Sequence, residues 1–155
     1  MIKKFADEVR LAELDRLEKL KTRVLRYIMF KKRTEKEVWQ KFSEEDSELL
    51  EETIEILKNL GYIDDTVYIE RFIAESLSLK NLSIYELKYK LQTKGVKKSL
   101  IDEYFQNNID ELLEYEKKSA NNIYIKKSRS MEIEEIKLYL RKKGYKEDSI
   151  SRIGE

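Results

Sequence analysis

Apolar residues recur along this chain at helical spacing, in runs that stop and restart at recognisable caps. Leu14, Leu17, Leu20, Val24, Leu25 and Ile28 form the first stripe, with no helix breaker between 5 and 32. That pattern predicts one long helix. Thr34 and Glu37 then have capping-box spacing and open a short helix whose apolar face is Val38, Trp39 and Phe42. An acidic turn at 43–48 precedes a third helix over about 47–60, where Leu50, Ile54, Leu57 and Leu60 make the stripe. The acidic residues suit that helix start, because the dipole favours them there.

The stretch from Leu57 to Phe72 reads as a helix end, a tight turn and a new helix. Gly61 suits the left-handed residue that ends a helix, with Tyr62 and Ile63 folding back onto the stripe. Asp64 or Asp65 suits the start of the next helix, whose face is Ile69, Phe72, Ile73, Ser76 and Leu77. The order then recurs. A helix over about 66–80 is followed by a second capping box, Ser83 with Glu86, and a short helix striped by Ile84, Leu87 and Leu91 that ends at Gly95. Val96, Leu100, Ile101, Tyr104 and Phe105 belong to the turn and helix after it. Asn108 and Glu111 again have capping spacing, so a helix is expected over about 109–128, with a weaker face of Leu112, Leu113, Ala120 and Ile123. A last short helix carries Ile133, Ile136 and Leu140, then come Gly144, Tyr145 and Ile150.

These runs are copies of one unit, about 14–65, 66–109 and 110–155, with a helical extension over 1–13. Thr34, Ser83 and Glu132 are spaced 49 apart, as are Glu37, Glu86 and Glu135. The same step relates Val38, Leu87 and Ile136, and Phe42, Leu91 and Leu140. Gly95 and Gly144 correspond, with Asp46 at that place in the first copy. The unit is long helix, short helix, third helix, and the third copy leaves only a few residues after Lys146 for its last helix. Such a unit buries its stripe poorly alone, so the copies are expected to stack. The expected fold is all-α: tandem three-helix repeats stacked into an elongated, curved molecule.

Composition narrows the function. Charged and apolar residues each make up 41% of the 155 residues, with no Pro and four Gly, which suits helices and leaves little for the turns of a β fold. There is no Cys and no His, so the usual zinc site, the thiol nucleophile and the imidazole base are all excluded. The four Gly are isolated, so no phosphate loop is present. Asp64 and Asp65 sit where capping explains them better than acid–base chemistry. No enzyme, cofactor or metal is expected. Without Cys, a leader-like segment or an apolar span, the chain is expected to be cytoplasmic and off the membrane.

The net charge of +1 conceals blocks. Residues 1–33 hold eleven basic against five acidic residues, 34–65 three against eleven, and 117–146 ten against three. The candidate binding residues are therefore basic: Lys88, Lys90, Lys94, Lys97 and Lys98 around the second short helix, and Lys126, Lys127, Arg129, Lys137, Arg141, Lys142 and Lys143 in the third copy. If the copies stack in phase, these form one positive stripe for DNA phosphates or an acidic protein. A solvated helix face, with cations drawn to helix C-termini, is the plainer reading of each one. Of the ten Tyr, some suit base stacking, but most lie beside apolar stripes and are expected to pack in or around the core.

Three motifs carry a resemblance: RTEKEVWQKF (Arg33 to Phe42), LGYIDD (Leu60 to Asp65), and KGV (Lys94 to Val96), echoed by KKGY (Lys142 to Tyr145). Over about 20–153 the chain resembles the RecX family, bacterial regulators of the RecA recombinase built as tandem three-helix repeats. The resemblance implies a non-enzymatic monomer that binds the RecA filament, with DNA reached through the filament, and inhibits recombinase, ATPase and coprotease functions. Two other readings stay open: a helical-repeat scaffold for an unrelated protein, and a helix-turn-helix-like DNA binder.

Overall fold

The computed structural model describes all of residues 1–155 and contains only helices. They are α1 (Ile2–Phe30), α2 (Glu35–Lys41), α3 (Ser47–Asn59), α4 (Asp65–Leu79), α5 (Ile84–Thr93), α6 (Lys98–Asn107), α7 (Ile109–Lys127), α8 (Ile133–Lys142) and α9 (Glu147–Ile150). The chain forms two compact units, Met1–Tyr68 and Ile69–Glu155, and passes from one to the other within α4.

In the first unit α1 packs on α3. Leu20, Val24 and Ile28 of α1 bury against Val38, Phe42, Leu50, Ile54, Leu57 and Ile63. Each such side chain contributes about 1.5–3 kcal/mol on burial. Trp39 and Tyr27 pack at the edge of this core, and the Arg33 guanidinium lies 4.3 Å from the Tyr27 ring centre. The first sixteen residues are exposed, so the helix begins well before its buried stripe. Leu14, placed on that stripe by spacing, is 48% exposed; burial starts at Leu17.

The predicted caps at Thr34 and Ser83 form as complete boxes. Thr34 Oγ1 accepts from Glu37 N–H at 3.1 Å, and Glu37 Oε1 accepts from Thr34 N–H at 3.0 Å. Ser83 and Glu86 do the same at 3.0 and 3.1 Å. At Asn108 the expected cap fails. Its side chain accepts nothing from α7 and instead donates to the Tyr104 carbonyl at 2.8 Å. Asn108 is also the residue that ends α6, so its amide is drawn back onto the helix it terminates.

The same C-terminal device ends α3, α5 and α8. Gly61, Gly95 and Gly144 all have positive φ. In each case the glycine N–H and the following N–H close onto the last turn: Gly61 to Lys58 O and Tyr62 to Leu57 O, Gly95 to Gln92 O and Val96 to Leu91 O, Gly144 to Arg141 O and Tyr145 to Leu140 O. This is the Schellman pattern. The residue that folds back differs. Val96 and Tyr145 are buried, whereas Tyr62 is 43% exposed and Ile63 takes the buried place. Asp64 caps α4 as expected, accepting from Thr66 and Val67 N–H at 3.0 and 3.3 Å. Asp65 does something else. Its carboxylate accepts from Glu35 N–H at 2.9 Å, at the start of α2. Burial pushes the Asp65 carboxyl above the usual range, and this hydrogen bond works against that shift.

In the second unit α7 is the central element, packing against α5, α6, α8 and α9. Its buried face is Leu112, Tyr115, Glu116, Ser119 and Ala120. That explains why its apolar stripe reads as weak: polar side chains fill half of it. Glu116 is fully buried. Its carboxylate accepts from Ile84 N–H at 2.8 Å, Lys146 N–H at 2.9 Å and the Ser149 hydroxyl at 2.8 Å. One side chain of α7 therefore holds the starts of both α5 and α9. Tyr115 accepts from Leu82 N–H and donates to the Lys80 carbonyl at 2.7 Å. Ser119 and Tyr145 share a hydrogen bond of 2.7 Å.

Glu116→Ala removes the acceptor of three buried donors and is expected to cost roughly 3 kcal/mol or more in chemical denaturation, with Glu116→Gln, which keeps one oxygen, costing less. A loss below about 0.5 kcal/mol would show that the carboxylate does not hold the helix starts.

The glycines separate two costs. A Cβ on Gly61 meets nothing within 4 Å, so Gly61→Ala should cost only the left-handed backbone term, about 1–2 kcal/mol. A Cβ on Gly144 falls 2.7 Å from the Tyr85 Cβ, so Gly144→Ala should cost clearly more in the same assay.

Burial pushes the Tyr115 and Tyr145 phenols above the ordinary tyrosine range. A raised folded-state value means that the stability they add is full below about pH 10, the unfolded value, and is lost as pH rises from there through the higher folded-state value. The thermal midpoint should fall with rising alkaline pH, and Tyr145→Phe should flatten that fall.

Candidate basic surface

All twelve candidate cations lie in the second unit. Lys88 and Lys90 are on α5, Lys94 is its C-cap, Lys97 is the N-cap of α6 and Lys98 its first residue. Lys126 and Lys127 close α7, Arg129 follows in the turn, Lys137, Arg141 and Lys142 are on α8, and Lys143 is its C-cap. Lys90, Lys126, Lys127, Arg141 and Lys142 sit in last turns, where the helix dipole favours positive charge. Their positions are thus partly explained without any partner.

Several of these side chains already have neighbours. Arg141 is held by Glu147 in a two-pronged pair, Nε to Oε1 at 2.7 Å and Nη2 to Oε2 at 3.3 Å. The hydrogen bond raises the Arg141 pKa and lowers that of Glu147. Lys88 lies 3.9 Å from Asp102 and its Nζ is 5.2 Å from the Phe105 ring centre. Arg141 and Lys88 are consequently poorer candidates for an outside anion than their neighbours.

The structure brings some candidates together. Lys127 and Lys143 converge on Tyr139, with Nζ atoms 4.2 and 5.7 Å from its ring centre. Lys143 is also tied to α5: its carbonyl accepts from the Ser83 hydroxyl at 2.7 Å. Next to it, Gly144 leaves room for Tyr85, so the turn between α8 and α9 abuts the first residues of α5.

Sequence reasoning passed over Tyr85 and Tyr89. Tyr115 and Tyr145 pack in the core as expected, but Tyr85 and Tyr89 are 61% and 58% exposed. Their rings are stacked, with centres 6.4 Å apart and planes 15° apart. The available signal was the spacing. Two Tyr four apart in YELKYK lie opposite the buried Ile84, Leu87 and Leu91.

No family model matches the chain. Individual proteins do. The regulatory protein RecX of Clostridium beijerinckii is 31% identical over 151 residues, covering 92% of this chain and 70% of the relative. That of Clostridium acetobutylicum is 33% identical over 145 residues, covering 87% and 65%. That of Lactococcus lactis is 35% identical over 109 residues, covering 68% of this chain and 40% of the relative. This chain thus spans about two fifths to two thirds of the length of the last two. Two crystal structures share the fold. A regulatory protein RecX superposes with a TM-score of 0.80 at 21% identity, over 94% of this chain and 76% of that one. RecX from Lactobacillus salivarius gives 0.74 at 24% identity, over 89% and 94%. The resemblance drawn from the hinge and the short helices therefore holds at the level of whole-chain alignment, and the chain belongs to the RecX family of regulatory proteins.

Proposed function

We propose that the protein regulates RecA by binding the RecA–DNA filament and inhibiting its recombinase, ATPase and coprotease functions, without catalysis of its own. Membership of the RecX family is the observation that carries this reading. The physical properties of the chain agree with it. Polar capping networks and narrow apolar stripes leave wide charged faces. The excess of cations in 117–146 complements either acidic protein or phosphate. In this reading Lys90, Lys126, Arg129, Lys137, Lys142 and Lys143 make the contacts. Lys94, Lys97 and Lys98 extend the contact along α5 and α6. Repeated weak contacts with neighbouring protomers then add through effective concentration.

The test is the single-stranded-DNA-dependent ATPase of the cognate bacterial RecA with this protein titrated in. Inhibition is expected. Charge reversal by Lys142→Glu with Lys143→Glu should raise the concentration needed several-fold and reduce its salt dependence. Unchanged ATPase in the presence of folded protein would overturn the reading and favour a scaffold for another partner.

A further inference from the structure

Two tyrosines on a helix surface are ordinarily mobile and unremarkable; Tyr85 and Tyr89 are neither loose nor isolated. Their rings stack with planes 15° apart while more than half of each residue stays exposed. Tyr85 is braced from below, because Gly144 offers no Cβ where one would come within 2.9 Å of the ring. The turn that carries Gly144 is itself fixed. Lys143 O accepts from Ser83, and Lys146 N–H donates to the buried Glu116 that also holds Ile84 N–H. The aromatic pair is therefore a preformed surface rather than a pair of free side chains.

Its surroundings indicate what it fits. Gln92 and Thr93 share the outer face of α5, and both are exposed and polar. An apolar protein partner would want an apolar rim there. The charged residues of the abutting turn are Lys143 and Lys146, Lys142 closes α8 just before it, and Lys127 reaches the same end through Tyr139. Glu86, the acid nearest in sequence, is engaged by Ser83 N–H. Flat exposed rings beside cations match unpaired bases joined by phosphates, and duplex bases offer no free face to stack on.

We propose that Tyr85 and Tyr89 form a base-stacking platform for single-stranded nucleic acid, with Lys142 and Lys143 holding its phosphates. The platform acts on free strand and does not depend on a recombinase, so it goes beyond the regulatory reading while sharing two of its lysines.

Fluorescence anisotropy of a labelled oligo(dT), titrated with the full chain at low salt, tests this. Binding is expected, stronger than to duplex of the same length. Tyr89→Ala, which leaves the Gly144 contact untouched, and the double variant Tyr85→Ala with Tyr89→Ala should weaken it by about tenfold, with folding checked by circular dichroism. Both Tyr→Phe replacements should bind as the parent does, because stacking needs the ring and not the hydroxyl. Lys142→Ala with Lys143→Ala should weaken binding and flatten its salt dependence. Absence of oligo(dT) binding, folded Tyr→Ala variants binding within about twofold of the parent, or tighter binding to duplex would each overturn the proposal. RecA is absent from this assay, so its failure leaves the regulatory reading standing, and a flat ATPase titration leaves the platform standing.

Discussion

A carboxylate placed at the first N–H of a short helix is the constraint around which each unit is built. Short helices of seven to ten residues cannot sustain themselves, since nucleation is unfavourable and their end groups are a large share of the whole. Asp65 supplies the acceptor for α2, and Glu116 supplies it for α5. Each comes from an element more than two dozen residues further along the chain, so tertiary structure and helix start form together. Glu116 goes further, because it also holds Lys146 N–H and the Ser149 hydroxyl. A fully buried carboxyl is costly unless its oxygens are hydrogen-bonded, and here three donors reach them.

That arrangement gives α7 an uncommon composition. A purely apolar face would allow α5 and α9 to slide along it, whereas the hydrogen bonds of Ile84, Lys146 and Ser149 to Glu116 fix them in one register, and Tyr115 and Ser119 tie down the connections before them at Lys80 and Tyr145. The apolar cluster of Ala120, Ile136, Leu140, Tyr145, Ile150 and Ile153 then closes beside the polar network. Stability and specificity are divided between the two: apolar area supplies most of the driving force, and the polar set decides which arrangement is reached.

The surface inherits this order. The turn at 142–146 is held from beneath by Glu116 and sideways by Ser83, so the lysines on it are displayed from a fixed backbone. Tyr85 leans on the same turn through the missing Cβ of Gly144. A binding surface gains from such fixed display, because less ordering entropy is lost on binding.

The sequence by itself determined the helices, the two capping boxes, the glycine-terminated ends and the family. Each of these rests on neighbours within a few residues: Thr34 with Glu37, Ser83 with Glu86, Gly61 and Gly144 after their stripes. The hinge motif carried the family because its turn chemistry is local and restrictive. What the tertiary structure alone decided involves partners about thirty or more residues apart. Glu116 reads as an ordinary surface acid until Ile84 and Lys146 are brought to it, and Asp65 reads as a cap for its own helix until Glu35 arrives. Likewise, spacing sets Tyr85 and Tyr89 off the buried stripe of α5, but it does not reveal that Gly144 meets Tyr85 or that Tyr145 is buried. Burial depends on which helix faces are covered, and a single stretch of chain does not encode its neighbours.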